Sequence, residues 1–145
     1  MNPLKSKYRI LKANKLILEA HSGNLDIASF INFKTTLATN PSFSPNFNFI
    51  IDLKDVTFET SESDLKKYAD FLTKSKKYKG SRKVAVITKT PNQVVSSVLF
   101  KLMFSNPSQN IEIFSTVNSA VEWMKIEKLS VLKIKNTIKS LKSTV

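Results

Sequence analysis

A mixed α/β sheet of about five strands, with an antiparallel hairpin leading into mostly parallel strands, is the fold this sequence predicts. Three observations predict it. Phe47, Phe49, Ile50 and Ile51 form a short apolar run of the sort that persists where both faces of a strand are covered. Two further strand-like runs, Lys83 to Thr88 and Ile111 to Phe114, each follow a segment with helical periodicity. Ahead of all three, two strand-like runs flank Asn14-Lys15 as a hairpin would.

Taken in order, Tyr8 to Ala13 and Leu16 to Ala20 are the hairpin strands, and Gly23 and Asn24 stop the second. Asn24 is placed to cap a helix from Leu25 to about Thr39, with Ile27, Phe30, Ile31, Leu37 and Ala38 on one face. The turn residues of Asn40 to Asn46 mark a loop, after which the central strand runs to Asp52. A loop through Asp55 and Phe58 then feeds a helix near Glu62 to Lys77, capped by Thr60 or Ser61 and burying Leu65, Tyr68, Ala69 and Leu72. After the strand at Lys83, Thr90-Pro91 starts a helix with proline in its first turn, running to about Ser105. Thr116 caps a helix that ends past Trp123 and Met124.

The 145 residues suffice for one hydrophobic core, and 41% apolar against 23% charged residues is a globular composition. With no cysteine and His21 as the one histidine, disulfides and the usual zinc sites are excluded. No stretch has signal-peptide or membrane-spanning character, so a cytoplasmic protein without stable membrane anchoring is expected. The formal charge of +12 invites a nucleic-acid reading, but only Arg9 and Arg82 of the 23 basic residues are arginine. Arginine supplies the bidentate contacts such readers use, so nucleic acid is not the expected partner.

The stretches FIIDLKDVTF (Phe49 to Phe58), RKVAVIT (Arg82 to Thr88) and IEIFSTVNSAVEWM (Ile111 to Met124) resemble the SpoIIAA-like family of the STAS superfamily. Family members show a strand ending in Asp, an apolar loop with Phe, a helix, a "kvAvv" strand, and a last strand ending in Phe before an A-x-x-W helix. The resemblance covers roughly Tyr8 to Ile126 and implies about four helices packed mainly on one face of the sheet, with no implied catalytic activity. It divides the chain into residues 1–127, the STAS-like domain, and residues 128–145, a basic amphipathic extension. Phosphorylated members carry a D-S-S-G-like turn ahead of the helix after the central strand. Here Glu59-Thr60-Ser61-Glu62-Ser63 stands in its place, with Thr60 for the Asp and no Gly. Ser61 falls near the family's phosphoacceptor position, yet Glu59, Glu62 and Asp64 crowd it with negative charge, and N-capping is the plainer role.

No catalytic constellation emerges, and an enzyme is not expected. His21 has no carboxylate or hydroxyl partner fixed by the sequence; Asp52 and Asp55 read as a strand end and a loop former rather than an acid–base pair. Two glycines leave no phosphate-cradling loop and no dinucleotide fingerprint, so no cofactor is implied. The parallel-strand ends gather Asp52, Thr60, Ser61, Thr88, Lys89, Thr90, Ser115 and Thr116 at one edge. There hydroxyls, helix N-termini and Lys89 could hold a small anion or nucleotide, or simply cap helices.

In the Pro91 helix, Val94, Val95, Val98, Leu99, Leu102 and Met103 read as the core face, with Phe100 and Phe104 on the outside. That outward pair suits a dimer contact, a partner groove or an apolar ligand, while a lipid-like or anionic ligand could sit at the strand-end edge or beneath the Pro91 helix. In the extension, Val131, Ile134, Ile138 and Leu141 form a stripe flanked by Lys133, Lys135, Lys139 and Lys142. It is expected to dock on its own domain or a second copy, over Phe100 and Phe104. The expected function is a non-enzymatic regulatory or protein-interaction module acting through Phe100, Phe104, Val131, Ile134 and Ile138. Alternatives are a carrier of a lipid-like or anionic ligand and a partner switch worked through Ser61.

Overall fold

The computed structural model describes residues 2–126 and 131–143; the 127/128 boundary lies outside them. Five strands form one sheet in the order β1-β2-β3-β4-β5: β1 (Lys5–Leu11), β2 (Leu16–Asn24), β3 (Asn48–Thr57), β4 (Arg82–Ile87) and β5 (Gln109–Phe114). Only β1 and β2 pair antiparallel, around a tight turn in which Lys15 takes the left-handed conformation. The remaining pairs are parallel.

Each new parallel strand is added on the same side of the last. Right-handed crossovers then put all three connecting helices on one face. These are α1 (Ile27–Leu37), α2 (Glu62–Lys74) and α3 (Pro91–Met103). They pack with Ile17, Phe49, Ile51, Val84 and Val86. The other face would be open but for α4 (Val117–Met124) and α5 (Val131–Ser143), which cover Leu16, Leu18, Ile50, Ala85 and Ile87. Phe49, Ile50 and Ile51 are therefore buried from both sides.

Several boundaries move, each for a local reason. Asp26 rather than Asn24 caps α1, accepting from the Ala28 N–H, and β2 continues through Gly23 to Asn24. Gly23 has φ +91, and a Cβ there would lie 2.3 Å from the Pro3 carbonyl oxygen, so it serves a close crossing rather than a strand stop. β3 does not end at Asp52 but runs to Thr57, its register with β2 slipping between Ala20 and Ser22. The expected loop shrinks to Phe58 to Ser61. Asp52 and Asp55 read as a strand end and a loop because the cation facing them, Lys142, comes from the far end of the chain.

The largest correction is α3, which is rotated relative to expectation. Gln93, Ser96, Ser97 and Phe104 are buried and Phe100 is half-buried, whereas Val94, Val95, Val98, Leu102 and Met103 face outward, Val95 at 55% and Leu102 at 72% exposure. Phe100 and Phe104 are thus not an outer surface. They stack on each other at 5.6 Å, and Phe100 lies 5.0 Å from Tyr68 of α2. Gln93 sets the rotation. β3 outlasts β4, leaving carbonyls at its end without a ladder partner, and Gln93 Nε2 donates to two of them, Lys54 O (3.0 Å) and Val56 O (2.9 Å). Its Oε1 accepts from the N–H groups of Lys89 and Thr90, completing a capping box with Thr90. A helix held this way must present Ser96, Ser97 and Phe100, the next positions of the same stripe, to the sheet.

The α5 stripe docks on its own domain, with Ile134, Thr137, Ile138 and Leu141 buried and Val131 half-buried. It covers the sheet face opposite Phe100 and Phe104 rather than lying over them.

Candidate functional site

Small polar residues on the inner stripe of α3 leave space beneath it. Between α1, α2, α3 and the sheet lies a cavity of about 80 Å³ whose wall is almost wholly apolar, drawn from Phe30, Ile51, Leu65, Tyr68, Val84 and Phe100 among others. Native cores rarely keep voids much larger than a water, so this one stands out. A few polar residues interrupt that wall, Ser96 among them. Ser97 Oγ is buried and has no hydrogen-bond partner among the described residues. Lys34, Arg82 and Gln109 also contribute to the wall, Arg82 and Gln109 from the first residues of β4 and β5.

Beside this cavity is a buried ionic group. Glu19 and His21 point to the α1 face from β2, alternating with Ile17, and Lys34 reaches them from the α1 stripe of Ile27, Phe30 and Leu37. Lys34 Nζ donates to Glu19 Oε2 at 2.5 Å, and His21 Nε2 lies 2.8 Å from Glu19 Oε1. Burial pushes the Glu19 carboxyl up, but Lys34 and His21 outweigh that and hold it down at about 2. An ionised Glu19 only accepts, so His21 Nε2 carries the proton. The facing Nδ1 is 2.7 Å from Ser6 Oγ, across the β1–β2 register. Burial lowers Lys34 from its ordinary value, and Glu19 opposes that shift. His21 thus has both partners that its place in the sequence left open. The chain Ser6–His21–Glu19 has the order of a nucleophile, base and acid, yet none of the three lines the cavity.

Arg82 lies over the rings of Phe49 and Tyr78, 5.6 Å from each centroid. Its Nη1 donates to Pro45 O and Tyr78 O, and Nη2 to Gln109 Oε1. The Tyr78 hydroxyl in turn donates to the Lys34 carbonyl. Burial pushes the guanidinium below its ordinary value.

The expected rim of strand-end residues divides. Asp52, Ser115 and Thr116 line one cleft with Lys54, Lys135, Lys139 and Lys142. Thr88 and Ser115 line another with Val94, Val98 and Leu102. Thr60, Ser61, Lys89 and Thr90 line neither. Thr90, Thr116 and Ser61 each cap a helix; Ser61 Oγ accepts from the Asp64 N–H while Asp64 Oδ2 accepts from the Ser61 N–H. Asp52 itself is 1% exposed, its Oδ1 3.1 Å from Lys142 Nζ, which also reaches Asp55 Oδ2 at 3.0 Å. Among the described residues no cluster of metal-ligating side chains occurs, and no helix is long and apolar enough to cross a membrane.

No family model matches the chain, and no curated protein matches it. Among solved structures it is similar to an uncharacterised protein of the DUF3478 family with a SpoIIAA-like fold from Shewanella loihica PV-4. That likeness has 14% identity and a TM-score of 0.54 and covers 85% of this chain and 94% of the other. The fold is SpoIIAA-like.

Proposed function

We propose that this protein is a small-ligand binding module whose site is the cavity beneath α3. One observation carries the reading: an apolar cavity of about 80 Å³ in an otherwise packed layer, with the unpartnered Ser97 hydroxyl in its wall. An apolar cavity of roughly 150 Å³ takes a benzene. This one, at about half that, suits a short aliphatic chain of roughly four heavy atoms.

The test is a titration with butan-1-ol followed by methyl NMR. Saturable shifts are expected for Ile51, Val84, Val86 and Ile111, with Leu18 and Ile87 across the sheet unmoved. Shifts absent from the first set, or equal in both, would remove the reading.

A second reading, protein contact, is favoured by a specific observation. The outward residues of α3, Val94, Val95, Val98, Leu102 and Met103, form an exposed apolar strip. A regulatory role for the fold would act there rather than through Phe100 and Phe104. Sedimentation of wild type and of Val95→Ser/Leu102→Ser tests it for self-association: a dimer lost in the variant supports contact through this strip, and a monomer in both removes it.

A further inference from the structure

We infer that the cavity's ligand is a monoanion, a short-chain carboxylate whose head group is gripped by Arg82. The inference rests on the ligand-binding reading above and adds to it the chemistry of the head. It follows from a count of buried charge. On the α1–α3 face of the sheet the buried fixed charges are Glu19, Lys34 and Arg82, one acid for two bases. Glu19 has both oxygens engaged, one by Lys34 and one by His21.

Arg82 is left without a counter-ion: among the described residues no carboxylate lies at ion-pair distance from it, and its three hydrogen bonds go to two carbonyls and an amide. Those three bonds use three of the five guanidinium N–H groups, which leaves one on Nε and one on Nη2 without a partner among the described residues. The aromatic faces of Phe49 and Tyr78 offer partial compensation, but Lys34 Nζ competes for the same Phe49 ring at 4.2 Å. Solvent has little access, since Arg82 is 6% exposed. A buried cation of this kind calls for a partner. A carboxylate brings two acceptor oxygens for the two remaining N–H groups, and a single negative charge restores neutrality where a dianion would overshoot it. The aliphatic tail then occupies the apolar space that Arg82 and Gln109 border.

The experiment compares butanoate, butan-1-ol and butan-1-amine on the full chain by NMR titration, in wild type and in Arg82→Gln. Charge-assisted bonds give an expected preference for butanoate over butan-1-ol of about ten-fold or more, with the amine weakest. In Arg82→Gln that preference should disappear while butan-1-ol affinity stays within about two-fold. Butan-1-ol binding as tightly as butanoate in wild type would overturn the head-group inference and leave the cavity reading intact. No binding by any of the three would remove both. Should Arg82→Gln not fold, the wild-type ranking decides alone.

Discussion

The two faces of the one sheet solve the burial of charge differently. On the α4–α5 side, Asp52 is buried in β3 and is matched from outside by Lys142, with Lys54 3.8 Å from its second oxygen. Those lysines remain part-exposed, so the face is sealed by apolar packing and clasped at one edge. On the α1–α3 side the charges are inside: Glu19, Lys34 and Arg82 lie almost wholly out of water, next to space that the protein does not fill. The first arrangement holds a helix down. The second leaves buried charge beside an unfilled apolar cavity, the feature on which the proposed ligand-binding reading rests.

The contrast can be broken most forcefully at Lys34. Lys34→Met leaves the Glu19 carboxylate buried opposite His21 alone and should cost about 3–5 kcal/mol in urea unfolding. Glu19→Gln/Lys34→Met should recover most of that loss, because removing both members of the pair leaves neither one buried opposite nothing. The same pair sets a pH dependence. The Glu19 carboxyl is depressed from 4.5 to about 2 on folding, so the stability it contributes is complete above 4.5 and lost as pH falls from there towards 2. In Glu19→Gln/Lys34→Met the acid limb of a thermal-melting profile should flatten across that interval.

On the other face, Lys142→Met should cost less, about 1–2 kcal/mol, since Lys54 still attends Asp52 and the amine is partly in water. Its mark should be faster amide exchange in α5 with α1 to α3 unaffected. The direction reverses at Ser97. Ser97→Leu fills the cavity and removes an unpartnered hydroxyl, so it should gain about 1 kcal/mol while abolishing butan-1-ol binding. A stabilised variant without binding separates a site from a packing flaw. Outward changes such as Val95→Ser should stay within about 0.5 kcal/mol of wild type.

How much of this could be read from the sequence depended on whether the decisive partner was near in the chain. The hairpin, the Thr116, Thr90 and Ser61 caps and the buried face of α2 are local, and Leu65, Tyr68, Ala69 and Leu72 are buried as their spacing indicates. α3 misled because apolar residues occupy both of its faces, so periodicity alone could not choose between them. The discriminating signal was the capping pair Thr90 and Gln93, which puts Gln93, Ser96, Ser97, Phe100 and Phe104 on one stripe at helical spacing. The ionic group was also half visible. Glu19 and His21 alternate inward with Ile17, and Lys34 shares the stripe of Ile27 and Phe30. An acid in an apolar strand and a base on a buried helical face ask for each other. What the sequence could not supply was the tertiary distance that leaves Arg82 unmatched, because that depends on where Glu19 is already spent.

Ligand binding beneath α3 requires that the space there can be entered. The most direct measurement is a crystal structure under xenon pressure, since xenon enters dry apolar cavities without needing a polar handle. A xenon atom among Ile51, Val84, Ser97 and Phe100 is the predicted result. A lattice that admits xenon elsewhere while those side chains close on one another would contradict it.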